Sequence, residues 1–444
     1  MTTEVEVPFQ TAGAVDIQTL TLISSSGSSI DLKDYMSEFN LYEDLFSPSL
    51  YGTLLIVDSS NIIKEMPIIG DEYVVVKIKT PTTTNYINKT FRVYSVTNRE
   101  IVRDLNTQVY ILHLISKEAV IDTLKPVFKS FSGRVSDVVK SIFDKYVVAD
   151  RTVNVNNETI TLNPEKSKLV ILTETENSVK FVSPGWTPFK CINWCASKSI
   201  PKEGKACNFV FFETIKNFYF GNIETLFRIN NETEALSLGK YYYKVNQVEE
   251  NKDVNEKMYN VEDFQVIKTV DHLLNYDSGY LASRLITLDV VNKKYESFDY
   301  DHVQRFRDFS HSQGDKSTPL FISDTPRNPL TNIKFYPIHP GLHNIKGNIN
   351  EKMPVIYGNR QSNMMELSNF KLNINVPGRT DAEVGRMLYL SFPDVSPKSE
   401  EDTAQTNEDK YYSGFYLVTA IRHKISQFKH TMTMEIVKDA LNNK

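Results

Sequence analysis

The chain is poor in cysteine and has no recognisable signal segment. Its 444 residues contain 3 cysteines, at positions 191, 195 and 207, and an odd number cannot all pair as disulfides. The sequence begins Met-Thr-Thr-Glu, without the basic and apolar residues of a secretory signal. Both absences favour a reducing compartment over secretion.

Long apolar runs and an excess of positive charge are also missing. No stretch reaches the roughly 18 apolar residues of a membrane span, so we expect no direct membrane insertion. A net charge of -5 gives no basic footprint for neutralising phosphates, which disfavours specific DNA binding. It does not disfavour the passage of DNA, because a conduit gains nothing from phosphate contacts that must be broken again.

The residues that are abundant indicate a β-rich globular protein. Hydrophobic residues make up 41% of the chain and charged residues 24%, and the 23 Tyr and 25 Phe favour strands. A chain of this length exceeds what one core usually supports, so about three domains are expected.

Two segments of the chain share one pattern, which indicates an internal duplication. Residues 91–115 and 415–439 both open on Phe at the start of a strand, continue through a basic and polar turn, and end in a second strand. The segments that precede these hairpins, 51–58 and 281–289, also correspond, because each is an apolar strand ending in Asp. A β-domain used twice is therefore the central prediction.

Between the two copies, near residue 120, the spacing at which apolar residues recur changes from two residues to about 3.6 residues, which predicts helices. Thr187 and Pro188 are typical of a helix start, with Thr187 as the N-cap and proline where its missing N–H costs nothing. Residues 262–274 predict a further short helix. Residues 394–410 form an acidic, Ser- and Thr-rich stretch that we expect to be solvated.

The predicted fold class is α+β and mainly β. It comprises two tube-like antiparallel β-barrel or sandwich domains related by internal duplication, an inserted α+β domain and a peripheral insertion. The expected boundaries are 1–15 for an N-terminal arm, 16–120 for tube-like β-domain I, 121–230 for the inserted domain, 231–300 with 366–444 for the discontinuous β-domain II, and 301–365 for the peripheral insertion.

Patterns of catalytic and metal-binding residues are weak in this sequence. Cys191 and Cys195 are four residues apart, but no third and fourth ligand follow nearby, so buried packing residues are the better interpretation. His339 and His343 are separated by Pro-Gly, which prevents the helix of a His-Glu-x-x-His zinc site.

The remaining patterns do not favour an enzyme either. The pair Asp299 and Asp301 could act in glycoside hydrolysis, but two solvated acids on one face of a strand are favoured. The tyrosines at 241–243 and Trp186 could stack on sugars or bases, but packing in the core or at an interface is the favoured interpretation of these side chains. Neither a nucleophile elbow nor a phosphate-binding loop occurs. We therefore expect no catalytic residue, no cofactor and no metal.

In its combined pattern the chain resembles the central hub protein of contractile phage tail baseplates. That family is related to the N-terminal part of type VI secretion spike proteins. The stretches that carry the resemblance follow one another from about residue 39 to 440, namely 39–48, 51–58, 66–72, 135–139, 186–194, 279–289 and 413–423.

The resemblance implies a structural role in the virion. In this family two tube-like domains per chain build a ring, so a homotrimer presents six similar domains and adapts a sixfold tail tube to a threefold central spike. The implied partners are the tail tube protein, neighbouring baseplate proteins and a spike on a separate chain, because no needle or lysozyme-like region follows in this sequence. DNA would pass through the ring without specific binding during genome ejection. The implied location is the tail baseplate of the virion, after assembly in the host cytoplasm.

Sheet edges suggest how the subunits meet. Strands at an open edge carry unpaired N–H and C=O groups, and pairing with a neighbouring chain removes that exposure. The strands expected at this interface are 73–78, 91–96, 285–291 and 415–419. The interface candidates are Tyr73, Val75, Phe91, Val93, Leu285, Thr287, Phe415 and Leu417.

Two other functions stay open at this point. A tail-associated cell-wall hydrolase would show muramidase activity as the isolated chain. A carbohydrate- or receptor-binding tail protein would bind glycans as a monomer that forms no ring.

Overall fold

The computed structural model describes residues 11–442, apart from 25–26, 81–82, 103–106, 149–151, 156–157, 162–166, 233–236, 244–253, 315–316, 321–326, 339–348 and 395–407. Residues 1–10 of the expected arm, His339, His343 and most of the acidic stretch lie outside the described residues. The described residues are mainly β with several helices, which confirms the α+β, mainly β fold class. Among the described helices, none is long and apolar enough to cross a membrane.

The amino-terminal half contributes seven antiparallel strands to the main sheet. They are β1 (Asp16–Ile23), β2 (Ser29–Asp31), β3 (Met36–Asp44), β4 (Tyr51–Asp58), β5 (Tyr73–Lys79), β6 (Tyr86–Val102) and β7 (Thr107–Ser116). Their order across the sheet is β3-β4-β7-β6-β5-β1-β2. The short helix α1 (Ile62–Glu65) lies between β4 and β5. Alternation along β5 sends Val74, Val76 and Ile78 into the core, as a half-buried strand requires.

An α+β unit follows. Its helices are α2 (Lys117–Leu124), α3 (Val135–Ile142), α4 (Pro188–Ala196) and α5 (Ile223–Glu232), with a π-helical turn at Phe143–Val147. Its strands are β8 (Val127–Arg134), β9 (Thr152–Val155), β10 (Glu158–Thr161), β11 (Leu169–Ile171), β12 (Ser178–Trp186), β13 (Phe209–Glu213) and β14 (Phe218–Asn222). The predicted start of α4 is confirmed, because the Thr187 side chain accepts a hydrogen bond from Lys190 N.

The remaining strands complete the main sheet and form two smaller ones, β19-β18-β21 and β20-β26. They are β15 (Lys240–Tyr243), β16 (Asn260–Val261), β17 (Asp263–Lys268), β18 (Ala282–Asp289), β19 (Lys294–Asp301), β20 (Ser317–Pro319), β21 (Ile333–Ile338), β22 (Lys371–Pro377), β23 (Met387–Ser391), β24 (Gly414–Ile425), β25 (His430–Val437) and β26 (Ala440–Asn442). The helices are α6 (Val254–Lys257), α7 (His272–Asp277), α8 (His302–Arg305) and α9 (Ile349–Glu366), with 3-10 turns at Phe306–Asp308 and Pro329–Thr331.

Strand β24 joins the two halves of the chain into one sheet. It pairs with β25 along one side, and along the other with β23 near its start and β3 near its end. From β25 the sheet continues to β22 and β17, and from β23 to β15 and β16. The β15–β16 and β15–β23 pairs are parallel, so the sheet is not purely antiparallel. In the described part of the chain no sheet closes into a barrel.

Three large apolar clusters and a small one at Tyr280 and Leu281 lie in the interior of the described residues. One lies within the amino-terminal strands around Phe39 and Phe91, and a second lies within the carboxyl-terminal strands around Phe370 and Tyr416. The third belongs to the α+β unit, around Phe143 and Phe211. Met353 and Ile356 of α9 join this third cluster, so the 301–365 segment packs against the α+β unit.

Two expectations about 262–289 differ from the structure. The helix predicted at 262–274 is wrong, because Asp263–Lys268 pairs with β22 and only His272–Asp277 is helical. Backbone hydrogen bonds to β22 outweigh the weak helical preference of this short segment. The segments 51–58 and 281–289, which are similar in sequence, also do not occupy equivalent positions in the fold. Strand β18 lies between β19 and β21 in a separate three-stranded sheet, whereas β4 lies in the main sheet.

Candidate assembly surface

Most of the predicted interface residues are not on the surface. The five that are buried inside the chain are Phe91, Val93, Leu285, Thr287 and Leu417. Tyr73 and Val75 are half-buried on β5, and Phe415 is 37% exposed and packs edge-on against Tyr389. Of the eight candidates, these three remain able to contact another chain.

The strands expected at the interface also have a neighbour on each side over much of their length. Strand β5 lies between β1 and β6, β6 lies between β5 and β7, and β18 lies between β19 and β21. Strand β24 has β25 on one side and β23 with β3 on the other. The prediction that these segments are open edges is wrong for 73–78 and 285–289, where the chain supplies both neighbours itself. Residues 93–96 of β6 extend past the end of β5 and pair only with β7.

Further open edges lie elsewhere. Within the described residues, β2 pairs only with β1, β17 only with β22, and both β19 and β21 only with β18. Strand β17 also exposes the apolar side chains of Val266 and Ile267. Its unpaired backbone could accept a strand from a second chain.

The register of the main sheet places a row of Tyr and Arg on its outer face. Each residue of this row is directly opposite the next across five strand pairs from β24 to β5. We call it the outer band, and its members are Arg422, Tyr42, Tyr51, Ile115, Arg92 and Tyr73. Tyr42 is 37% and Tyr51 42% exposed, whereas Ile115 is half-buried against the α+β unit.

At one end of the outer band Arg92 is held by two neighbours. Its guanidinium carbon lies 4.2 Å from the centre of the Tyr73 ring, and its Nη2 forms an ion pair with Asp71. Burial lowers the pKa of Arg92 and raises the pKa of Tyr73. The stacking therefore fixes a long side chain in one orientation before any partner binds.

At the other end Arg422 is fixed by residues of β3. Its Nε donates to Asn40 Oδ1 at 2.9 Å, and its Nη2 lies 3.5 Å from Glu38 Oε1. Its guanidinium carbon is 6.0 Å from the centre of the Tyr42 ring. Tyrosine and arginine in fixed orientations are the residue types enriched at protein–protein interfaces, so the outer band is the candidate assembly surface.

A chain of buried polar residues lies beneath the pairing of β24 with β3. His423 Nε2 is 3.7 Å from Glu43 Oε1, and His423 Nδ1 is 3.1 Å from His430 Nε2. His430 Nδ1 in turn lies 3.3 Å from the Thr80 hydroxyl. Burial raises the pKa of Glu43, whereas burial and the nearby His423 keep the pKa of His430 well below its usual value.

The residues considered for chemistry have structural partners. Cys191, Cys195 and Cys207 are buried and free, and burial raises the pKa of Cys207 to about 12, as expected for packing residues. Asp299 binds Arg284 through two hydrogen bonds of 2.5 and 2.7 Å, which lower the pKa of its carboxyl group.

The second acid of the suggested pair is also engaged. Asp301 caps α8 and pairs with Arg327 at 2.9 Å. Two carboxylates that each bind a separate arginine do not form the unequal acid pair that glycoside hydrolysis needs.

The sequence contains a signal for the outer band, although the predicted interface residues do not follow it. In β6 the order is Phe91, Arg92, Val93, and a polar residue between two apolar ones indicates that the apolar pair faces the core. The same alternation occurs in β3, where Leu41 is buried and Tyr42 exposed. Phe91 and Val93, which were predicted at the interface, are the apolar members of this alternation and therefore lie on the buried face.

Two solved structures of phage tail proteins are similar to this fold over nearly the whole chain. A tail protein from Neisseria meningitidis MC58 matches with a TM-score of 0.54 at 10% identity, over 96% of this chain and 96% of that chain. The 43 kDa tail protein of prophage MuSo2 from Shewanella oneidensis matches with a TM-score of 0.52 at 10% identity, over 96% and 99%. The chain has the fold of phage tail proteins. The resemblance inferred from the sequence is thereby confirmed at the level of fold.

A solved structure from a secretion system also matches, with a lower TM-score, whereas no protein-family model matches. A component of the E. coli type VI secretion system matches with a TM-score of 0.38 at 8% identity, over 96% of this chain and 76% of that chain. No protein-family model and no curated protein matches the sequence.

Proposed function

We propose that this phage-tail-like chain is the structural hub of a contractile tail baseplate. Three copies form a ring in which the two β-rich halves of each chain alternate, so that six similar units face the tail tube and three equal chains face the central spike. The observation that carries the proposal is the likeness to two phage tail proteins over nearly their whole length.

The pairing of β24 with β3 supports this arrangement. It joins the carboxyl-terminal half to the amino-terminal half edge to edge, with Ala420 to Ile425 opposite Asp44 to Phe39. The sheet of one chain therefore already contains one junction between the two units. A ring of three chains needs a corresponding junction between neighbours, for which the outer band and the open edge of β17 are the available surfaces.

The proposed partners follow from this geometry. The tail tube protein and a separate spike protein bind opposite faces of the ring, and neighbouring baseplate proteins bind its rim. DNA passes through the centre without specific contacts, in keeping with the net charge of -5. The role is structural and not enzymatic.

Light scattering on the purified chain tests the proposal. We expect a species of three times 50.9 kDa, and negative-stain images down its axis that show a ring with near-sixfold features. A chain that stays monomeric at every concentration, alone and with the tail tube protein, would contradict the ring. Muramidase activity or glycan binding by that monomer would support the hydrolase or the receptor-binding function instead.

A further inference from the structure

Strands β8 and β12 form a two-stranded ribbon whose outer face is apolar and uncovered. Within the described residues they pair only with each other, so each strand has one open edge. Phe128 lies opposite Pro184 on this face, and Val182 is its diagonal neighbour. Phe128 is 77% exposed, yet its ring lies against Gly185, where an added Cβ atom would be 2.7 Å from Phe128 Cζ. The ring is therefore an apolar anchor that is already held in place.

The charges carried by this ribbon are all of one sign. Segments 124–134 and 178–190 contain five basic residues and no acidic one, although the chain as a whole has a net charge of -5. Arg134 pairs with Glu174 at 3.3 Å. The other four are exposed lysines, namely Lys125, Lys129, Lys180 and Lys190. We call these two segments the basic ribbon.

Residues 262–277, which contain β17 and α7, present the opposite charge. They contain four acidic residues and one lysine, a net charge of -3. Their apolar side chains are also exposed, with Leu273 of α7 at 83%. Asp277 follows Leu273 by four residues, so the two lie on the same face of the helix. We call this segment the acidic edge.

The core-facing side of β17 is incomplete. Phe264 and Val266 lie opposite Ile374 and Leu372, which are fully buried. Phe264 packs on Phe392 with ring centroids 4.8 Å apart, whereas Val266 on the same face is 38% exposed. Beyond β17 no further strand follows among the described residues. A strand supplied from outside would cover Val266 and satisfy the open backbone.

We infer that the basic ribbon of one copy of this chain binds the acidic edge of a second copy. The inference rests on the proposed ring, for which it names the contact between neighbours. Lysines meet carboxylates, exposed apolar side chains meet each other, and both surfaces have open strand edges. Within one chain the described strands of the two surfaces do not pair with each other, so both stay available.

The symmetry of this contact suits a closed ring. The two surfaces differ, so the contact is heterologous, and every copy presents both of them. A heterologous contact repeated around a threefold axis closes after three copies. The apolar side chains supply most of the affinity, while the opposite charges determine which surfaces meet.

Charge reversal in the full-length chain tests this contact by sedimentation equilibrium. Lys125→Glu with Lys129→Glu should weaken association about tenfold or more, because like charges then face each other. Asp263→Lys with Asp277→Lys should have the same effect. A chain that carries all four changes should regain most of the association. All four positions are exposed, so we expect every variant to fold.

A matched control separates this contact from a general effect of charge. Lys64→Glu with Lys410→Glu makes the same change in net charge at exposed positions outside the basic ribbon, and it should leave association unchanged. Phe128→Ser removes the apolar anchor without altering the charge. It should weaken association about tenfold or more.

The outcomes distinguish the contact from the ring. A chain that stays monomeric, alone and with the tail tube protein, overturns both. Association that withstands both pairs of reversals, or that the four changes together fail to restore, overturns this contact and leaves the ring standing. Dimers or filaments that depend on these charges support the contact and overturn the closed ring of three.

Discussion

Lys89 Nζ lies 2.9 Å from Glu213 Oε1, and this ion pair connects β6 of the main sheet to β13 of the α+β unit. The Glu213 side chain is fully buried, and that of Lys89 is only 11% exposed. Glu213 Oε2 also accepts a hydrogen bond from Leu50 N at 3.0 Å. The pair therefore fixes how the α+β unit sits against the amino-terminal strands.

Replacing Lys89 with Met should destabilise the chain by about 3 kcal/mol, because a carboxylate is left buried without its cation. The double variant Lys89→Met with Glu213→Gln should regain part of that loss. Urea unfolding followed by the fluorescence of Trp186 and Trp194, which both lie in the α+β unit, measures the difference.

An exposed ion pair serves as the control for the buried one. Arg134 and Glu174 pair at 3.3 Å with side chains 44% and 54% exposed, so Arg134→Ala should cost only about 0–1 kcal/mol. Equal losses for the buried and the exposed pair would contradict the role given to Lys89.

The outer band makes a prediction about assembly. Tyr51 is 42% exposed, so Tyr51→Ser should leave the monomer folded. If the outer band forms the subunit contact, the change should weaken association by about 2 kcal/mol, as for a central interface aromatic. Sedimentation equilibrium over a concentration series measures it.

A matched control is the more exposed Phe428, in the turn between β24 and β25 and outside the outer band. Phe428→Ser should leave the sedimentation profile unchanged. Phe415→Ala tests the one exposed candidate on β24, and an unchanged trimer would remove Phe415 from the contact.

Gly378 lies against the ring of His430, and this contact leaves no room for a side chain. A Cβ atom at Gly378 would be 2.0 Å from His430 Cγ, and Gly378 N donates to the His430 carbonyl at 2.8 Å. Gly378→Ala should therefore destabilise the chain by about 1–3 kcal/mol in urea unfolding.

The exposed Gln427, in the neighbouring turn, supplies the control, since Gln427→Ala should change stability by less than about 0.5 kcal/mol. Adding His430→Ala to Gly378→Ala removes the clash, so the double variant should lose less than the sum of the two single losses. Simple additivity would show that the contact is not the cause.

Acid should weaken the junction of the two halves through His430. Its pKa is held well below 6.5 in the folded chain by burial and by His423, so it stays neutral there while the unfolded chain takes up a proton. The unfolded state binds more protons below about pH 6.5, and stability falls by up to about 1.4 kcal/mol per pH unit. Glu43 opposes this trend, because burial raises its pKa and the folded state gains from its protonation.

The variant His430→Gln isolates the histidine from Glu43, because it cannot take up a proton but retains polar contacts to His423 and Thr80. The loss of unfolding free energy between pH 7 and pH 5 should be smaller in His430→Gln than in the unaltered chain. Identical losses would assign the acid sensitivity to other groups.

Local patterns in the sequence predicted local structure well. The Thr187 cap, the change to a helical period near residue 120 and the strand at 73–78 all depend on neighbours within a few residues, and each is present in the structure. The tail-protein fold could also be predicted from the sequence, because short stretches typical of that family follow one another along most of the chain.

Partners that are distant in sequence could not be predicted in the same way. The open edges were misplaced because no local pattern records that β3 pairs with β24. The outer band depends on register across five strand pairs, and the buried ion pair of His311 and Asp439 joins residues 128 positions apart in the sequence. Such contacts depend on tertiary pairing, which a single sequence does not specify.

The position of β24 has a consequence for synthesis on the ribosome. The outer side of β3 receives its partner only when Ala420 to Ile425 have emerged, long after β3 itself. Until then the nascent protein carries a bare strand that must be shielded from other nascent chains. We expect its folding to wait for the synthesis of β24, and a stalled or truncated product that lacks β24 to be a target for chaperones and proteases.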